Sequence, residues 1–158
     1  MWFLAMWKLL QRFRALDRHA QNMFLRASLS LPLIAASLRL RGFRATQAAL
    51  AHFLSAREHG HPHSDRTMAI DATRTARMVG AAVRYSFVRP ACLEKSLVLW
   101  WLLRRQGIAS SVRIGTRKNT GGLEAHAWVE HCGSALNEID RPQERYAAFD
   151  AFPELSPK

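Results

Sequence analysis

The chain has 158 residues, enough for one domain or for one core with a helical extension. Its hydrophobic fraction of 49% supports a real core, and its formal net charge of +11 is large. That charge is mostly arginine spread along helical segments, not gathered into a tract or a nucleic-acid motif. Solvated arginine faces are therefore expected, and no nucleic-acid partner. The two cysteines, Cys92 and Cys132, are too few for a disulfide framework and read as reduced thiols in a cytosol.

Residues 2–18 place Trp2, Phe3, Met6, Leu9, Leu10, Phe13 and Leu16 at the spacing of an amphipathic helix. Its apolar residues come first, with Lys8, Arg12 and Arg14 interleaved, which is the wrong order for a secretory signal. The uncharged stretch Met1–Trp7 is far short of the roughly 20 residues needed to span a bilayer. Such a helix can make peripheral contact with a membrane surface, but packing on the rest of the domain is the preferred expectation.

Met23 to Leu40 is apolar, with a helix end or kink expected at Pro32 and closure at Gly42. A helix over 44–56 follows, with Leu50, Phe53 and Leu54 inward. Residues 58–66 form a polar linker punctuated by Gly60 and Pro62. Its His59, His61 and His63, with His52 nearby, lack a cysteine and the spacing of a structural zinc site, so no metal is expected. A helix over 67–86 buries Met68, Ala72, Thr75, Ala76, Val79 and Val83.

Residues 91–105 are apolar nearly all round from Leu97 to Leu103, the mark of a buried central helix. Pro90 suits its first turn and Gly107 its exit. The period then drops to two. Strands are predicted over 109–116, 123–131 and 135–139, with turns at Asn119–Gly122 and Cys132–Ser134. The tail from Arg141 reads as irregular with one helical turn. The fold class is α+β: a helical region over 1–66, then a core over 67–158, forming one compact unit.

Cys92 opens the buried helix, where unpaired N–H groups and the positive end of the dipole favour a thiolate. On its own, a cysteine there reads better as a small core residue. His126 changes that reading. It sits mid-strand between two alanines, on the face of Trp128 and Glu130, and needs a polar partner to be buried. Glu138 and Asp140 both point to one side of the third strand. A carboxylate there can hold one imidazole nitrogen and leave the other for Cys92. Trp128 either walls the cleft or fills the core. His131 and Cys132, as strand neighbours, are expected to point apart and are not read as a second pair.

The blocks CLEKSLVLWWLLRRQGI, VRIGTRK and AHAWVEHCGSALNE together resemble the leader peptidases (B proteins) of lasso-peptide biosynthesis, closely over 88–138 and loosely ahead of it. The resemblance implies a divergent transglutaminase/papain-like fold with a Cys-His-acid triad and no cofactor. It makes Cys92 the nucleophile and His126 the base. The family's acid usually follows the histidine by twelve positions in an Asn-Asp pair; here that pair is Asn137-Glu138. Glu138 is therefore the expected acid and Asp140 the fallback.

The implied activity is removal of the leader from a ribosomally made precursor peptide in the cytoplasm. The implied partners are a separate leader-recognition protein, since residues 1–87 show no β-rich recognition module, and an asparagine-synthetase-like cyclase. Two rival readings use the same residues. One is transglutaminase-like acyl transfer; the other is a non-catalytic subunit for assembly or membrane docking.

Overall fold

The computed structural model describes residues 11, 13–55, 65–87, 89–138 and 141–150. Most of the predicted helix over 2–18, the histidines at 59, 61 and 63, and Asp140 lie outside the described residues.

Helix α1 spans Arg18–Ser55. Asp17 caps it, accepting a 2.8 Å hydrogen bond from the Ala20 N–H, and this bond holds the Asp17 carboxyl below its usual range. Just ahead, Phe13 packs on Phe24 at 5.7 Å between ring centroids. Gln21 donates to the Phe13 and Leu16 carbonyls. The described end of the predicted amphipathic helix thus packs on the domain.

The helix does not end at Pro32; the backbone continues in helical conformation through it. The break falls instead at Gly42 (φ 76°, ψ 177°), a backbone setting that favours glycine. The predicted separate helix over 44–56 is the second limb beyond this break. Thr46 secures the break by donating to the Gly42 carbonyl and bonding Ser37 across it. On that limb Leu50 is buried as expected, but Phe53 is turned to solvent.

Helices α2 (Asp65–Tyr85) and α3 (Cys92–Arg104) pack against α1. The core joins Ala27, Leu31 and Ile34 of α1, Ala72, Ala76, Val79 and Ala82 of α2, and nearly every residue of α3 from Leu97 to Leu103. Burying one such aliphatic side chain contributes roughly 1.5–3 kcal/mol. The central-helix expectation for α3 holds. Pro90, however, lies ahead of the N-cap Ala91, outside the first turn. Gly107 (φ 74°) turns the chain out, and the Ile108 N–H returns to the Leu103 carbonyl.

Strand β1 (Ser111–Asn119) and strand β2 (Gly122–His131) form an antiparallel hairpin. Asn119 Oδ1 accepts the Gly121 N–H in its turn, and Gly122 (φ 123°) occupies a conformation that disfavours side chains. The third strand is shorter than predicted: β3 is only Ser134–Ala135. Pairing of β2 is prolonged beyond it by Leu136, whose N–H reaches the Val129 carbonyl, and by the Asn137 side chain, whose Oδ1 accepts the Val129 N–H. After one helical turn, α4 (Pro142–Arg145), the tail forms a strand where the sequence pattern predicts irregular chain. This strand, β4 (Ala147–Asp150), pairs antiparallel with β1. The sheet order is β3-β2-β1-β4, so the chain crosses from one edge of the sheet to the other between residues 136 and 147.

Candidate active site

Alternation along β2 separates two chemistries. Ala127 and Val129 face the helical core, while His126, Trp128 and Glu130 face away from it. The edge of β2 joins this strand to α3, the helix that Cys92 opens.

On that edge, Ala127 and Val129 present their backbone groups to the same side, being two residues apart. Val129 is taken by Leu136 and Asn137. At Ala127 the edge is instead met by α3: Ser96 Oγ donates to the Ala127 carbonyl at 3.0 Å. Asn137 Nδ2 reaches the same Ser96 Oγ at 3.3 Å. Because β3 stops after two residues, the first half of α3 docks against the edge of the sheet. Further along, His131 Nδ1 bonds the Ala109 carbonyl at 2.6 Å, tying the residues after α3 to the end of β2.

Cys92 precedes Ser96 by one helical turn on the same face, about 6 Å along the axis.

Cys92 is the first residue of α3, partly buried, and N–H groups of a first helical turn have no acceptor within the helix. Glu94, 6% exposed, closes the turn by accepting the Ala91 N–H at 2.8 Å. This bond satisfies one of the end groups; among the described residues no hydrogen bond engages the Cys92 N–H.

His126 Nε2 lies 2.9 Å from Glu138 Oε1. Of the two carboxylates expected from sequence, Glu138 is the one that the structure joins to the histidine; Asp140 lies outside the described residues. Among the described residues no hydrogen bond engages His126 Nδ1, and none joins Cys92 Sγ to His126. The imidazole is thus held by one nitrogen, with the other unengaged. Asn137, the neighbour of Glu138 in the sequence pair, acts elsewhere. It ties Val129 to Ser96 and so fixes β2 against α3.

Trp128 is fully buried, its ring stacked 6.2 Å from His126 at 22°, and its Nε1 donates to Glu130. It forms a buried floor beneath the imidazole. Glu130 also pairs with Arg113 at 3.3 Å.

Tyr146 joins the site although no sequence motif points to it. Its ring lies 5.4 Å from His126 and 6.2 Å from Trp128, and its Cβ sits against Gly115. Its hydroxyl donates to Glu124 at 2.8 Å, and the Arg117 guanidinium sits 4.8 Å above its ring. Arg117 and Asn119 complete the set of donors around the second Glu124 oxygen. The Tyr146 hydroxyl and then Arg117 hold the Glu124 carboxyl below its usual range; Glu124 in turn pushes the Tyr146 phenol up. Two signals bear on this arrangement: Gly115 within a strand, the mark of a close approach, and Arg117 facing Glu124 across the hairpin.

The second cysteine departs from expectation. Cys132 Sγ lies 3.6 Å from His131 Nε2 because Cys132 is not extended: its φ of 48° turns the side chain back. His131 is anchored by a backbone carbonyl and Cys132 sits in an exposed turn, and among the described residues no carboxylate bonds either of them.

The sequence model of the transglutaminase-like superfamily matches residues 31–151. The chain belongs to that superfamily. It groups cysteine peptidases and acyl transferases, and the match takes in most of the long α1 helix as well as α3 and the sheet. No curated protein and no solved structure gives a significant match.

Proposed function

We propose that this chain is a cysteine peptidase that removes the leader from a ribosomally synthesised lasso-peptide precursor. It would act with a separate leader-recognition protein and an asparagine-synthetase-like cyclase. The observation that supports a catalytic role is the His126–Glu138 pair, whose histidine lies on the strand that Ser96 ties to the helix that Cys92 opens. The resemblance of residues 88–138 to the lasso leader peptidases supports the substrate class.

In this reading Cys92 gives its proton to His126 Nδ1, and the thiolate attacks the scissile carbonyl carbon. The new oxyanion accepts the Cys92 N–H, with the helix dipole behind it. Glu138 accepts the Nε2–H and stabilises the imidazolium. As the C–N bond breaks, His126 returns the proton to the leaving amine, which is the new N-terminus of the core peptide. Water, deprotonated by His126, then cleaves the thioester and frees the leader acid. None of these steps calls on a metal or a cofactor.

The same pair can hand the acyl group to an amine, as a transglutaminase does. Mass spectrometry of a precursor treated with the chain and the leader-recognition protein, without the cyclase, separates the two readings. Leader release, appearing as two fragments whose masses sum to the precursor plus one water, is the expected result. Loss of ammonia without cleavage contradicts the peptidase reading.

A further inference from the structure

Helix α1 is apolar on two sides. Met23, Ala27, Leu31 and Ile34 face the core. At helical spacing, Leu25, Leu29, Leu33 and Leu40 line the opposite side, exposed by 51%, 69%, 70% and 85%. Over one 18-residue window of Arg18–Leu54 the mean hydropathy is 1.4, enough by length and composition for a membrane span, yet only 28% of that window is buried. A helix apolar all round is normally covered on all sides.

The charge on this helix indicates what covers it. Residues 18–55 contain Arg18, Arg26, Arg39, Arg41 and Arg44 and no aspartate or glutamate at all. The described part of the chain therefore sets a leucine stripe about 22 Å long among cations without an acid on the same helix. At the Gly42 break the stripe continues into an apolar hollow lined by Leu33, Ile34, Leu50, Phe53 and Trp101, with Arg41 at its edge. An acid-free helix with exposed leucines and flanking arginines complements a surface that is apolar inside and anionic at its face.

We infer that the outer face of α1 docks the protein on an anionic phospholipid bilayer, lying in the plane of the interface with its inner face still packed on the core. This inference is independent of the catalytic reading. It also differs from docking through residues 2–18, because the stripe belongs to the helix that forms the core.

The test is co-sedimentation of the full chain with vesicles of phosphatidylcholine alone and of phosphatidylcholine mixed with phosphatidylglycerol. Binding to the mixed vesicles only, weakening with added salt, is expected. Leu29→Gln with Leu33→Gln should lower that binding about tenfold or more with the melting temperature kept, as lost apolar insertion requires. Arg39→Gln with Arg44→Gln, at exposed positions, should lower it as well and serves if the first variant does not fold. Trp2→Gln with Phe3→Gln should leave it intact. Absence of binding by the unaltered chain overturns the inference. So does retained binding by the leucine or arginine variant, or loss of binding through the Trp2 and Phe3 changes. A concentration-dependent dimer abolished by the leucine substitutions would assign the stripe to a second copy of the chain instead.

Discussion

The molecule holds two cysteine–histidine neighbourhoods, and they are built in opposite ways. Cys132 and His131 are adjacent in sequence, and a turn brings sulfur within 3.6 Å of imidazole. Cys92 and His126 are 34 positions apart, on two elements that the Ser96–Ala127 bond ties together. The closer pair lacks what a nucleophile needs. Its imidazole is tied to a backbone carbonyl, and its sulfur sits in an exposed turn. The distant pair has a carboxylate behind the histidine and a helix N-terminus under the cysteine. In the proposed reaction the surroundings of thiol and base outweigh contact between them.

The sharpest way to break this comparison is to exchange the cysteines for alanine one at a time. Cys92→Ala should lower leader release from the precursor by about four orders of magnitude or more, as loss of a nucleophile does. Cys132→Ala should leave the rate within about twofold, since general catalysis by that pair is not expected. The reverse result would move the active site to the turn. Next in size is the acid. Glu138→Gln keeps the shape but loses the charge that balances an imidazolium, so kcat should fall by about a hundredfold or more. Asp140→Asn should change it far less. If Asp140→Asn proves the worse of the two, the fallback acid is the right one.

A smaller effect is expected at the floor of the site. A Cβ on Gly115 would lie 2.7 Å from Tyr146 Cβ and 2.9 Å from the Trp128 ring. Gly115→Ala should cost roughly 1–3 kcal/mol in urea denaturation, the usual range for overpacking. It should also slow the reaction by displacing the two rings that border His126. Unchanged stability would show that Tyr146 is not packed as described.

The smallest effect concerns pH. The carboxyl of Glu124 is depressed in the folded state, so its contribution is present above the unfolded pKa and is lost as pH falls through the folded value. Thermal melts should show Glu124→Gln closing its gap to the unaltered protein as the pH drops below the ordinary glutamate range. The group is solvent-exposed, so the gap itself should be slight.

Much of this architecture is legible in the sequence. The apolar run of α3, the period-two strands and the Asn119–Gly122 turn follow from local patterning, and the Cys92, His126 and Glu138 positions from the blocks around them. The features that local patterning misses depend on contacts across the chain. Pro32 reads as a helix stop because local sterics disfavour continuation there. The helix runs on because Leu31 and Ile34 are buried against its neighbours. Ala147–Asp150 carries too little apolar alternation to announce a strand; β1 imposes it. The role of Tyr146 emerges only when the chain entering β4 sets its Cβ against a glycine of β1. For Cys132 the pattern predicts side chains pointing apart, and a left-handed φ reverses the direction.

In the proposed reaction Cys92, not Cys132, carries the acyl group. The direct measurement is peptide mapping of the enzyme after acid quenching during turnover of a precursor in the presence of its partner proteins. A leader-derived thioester on the peptide containing Cys92, absent in His126→Ala, is the predicted result. The same adduct on Cys132, or full turnover in the Cys92→Ala chain, would contradict the account.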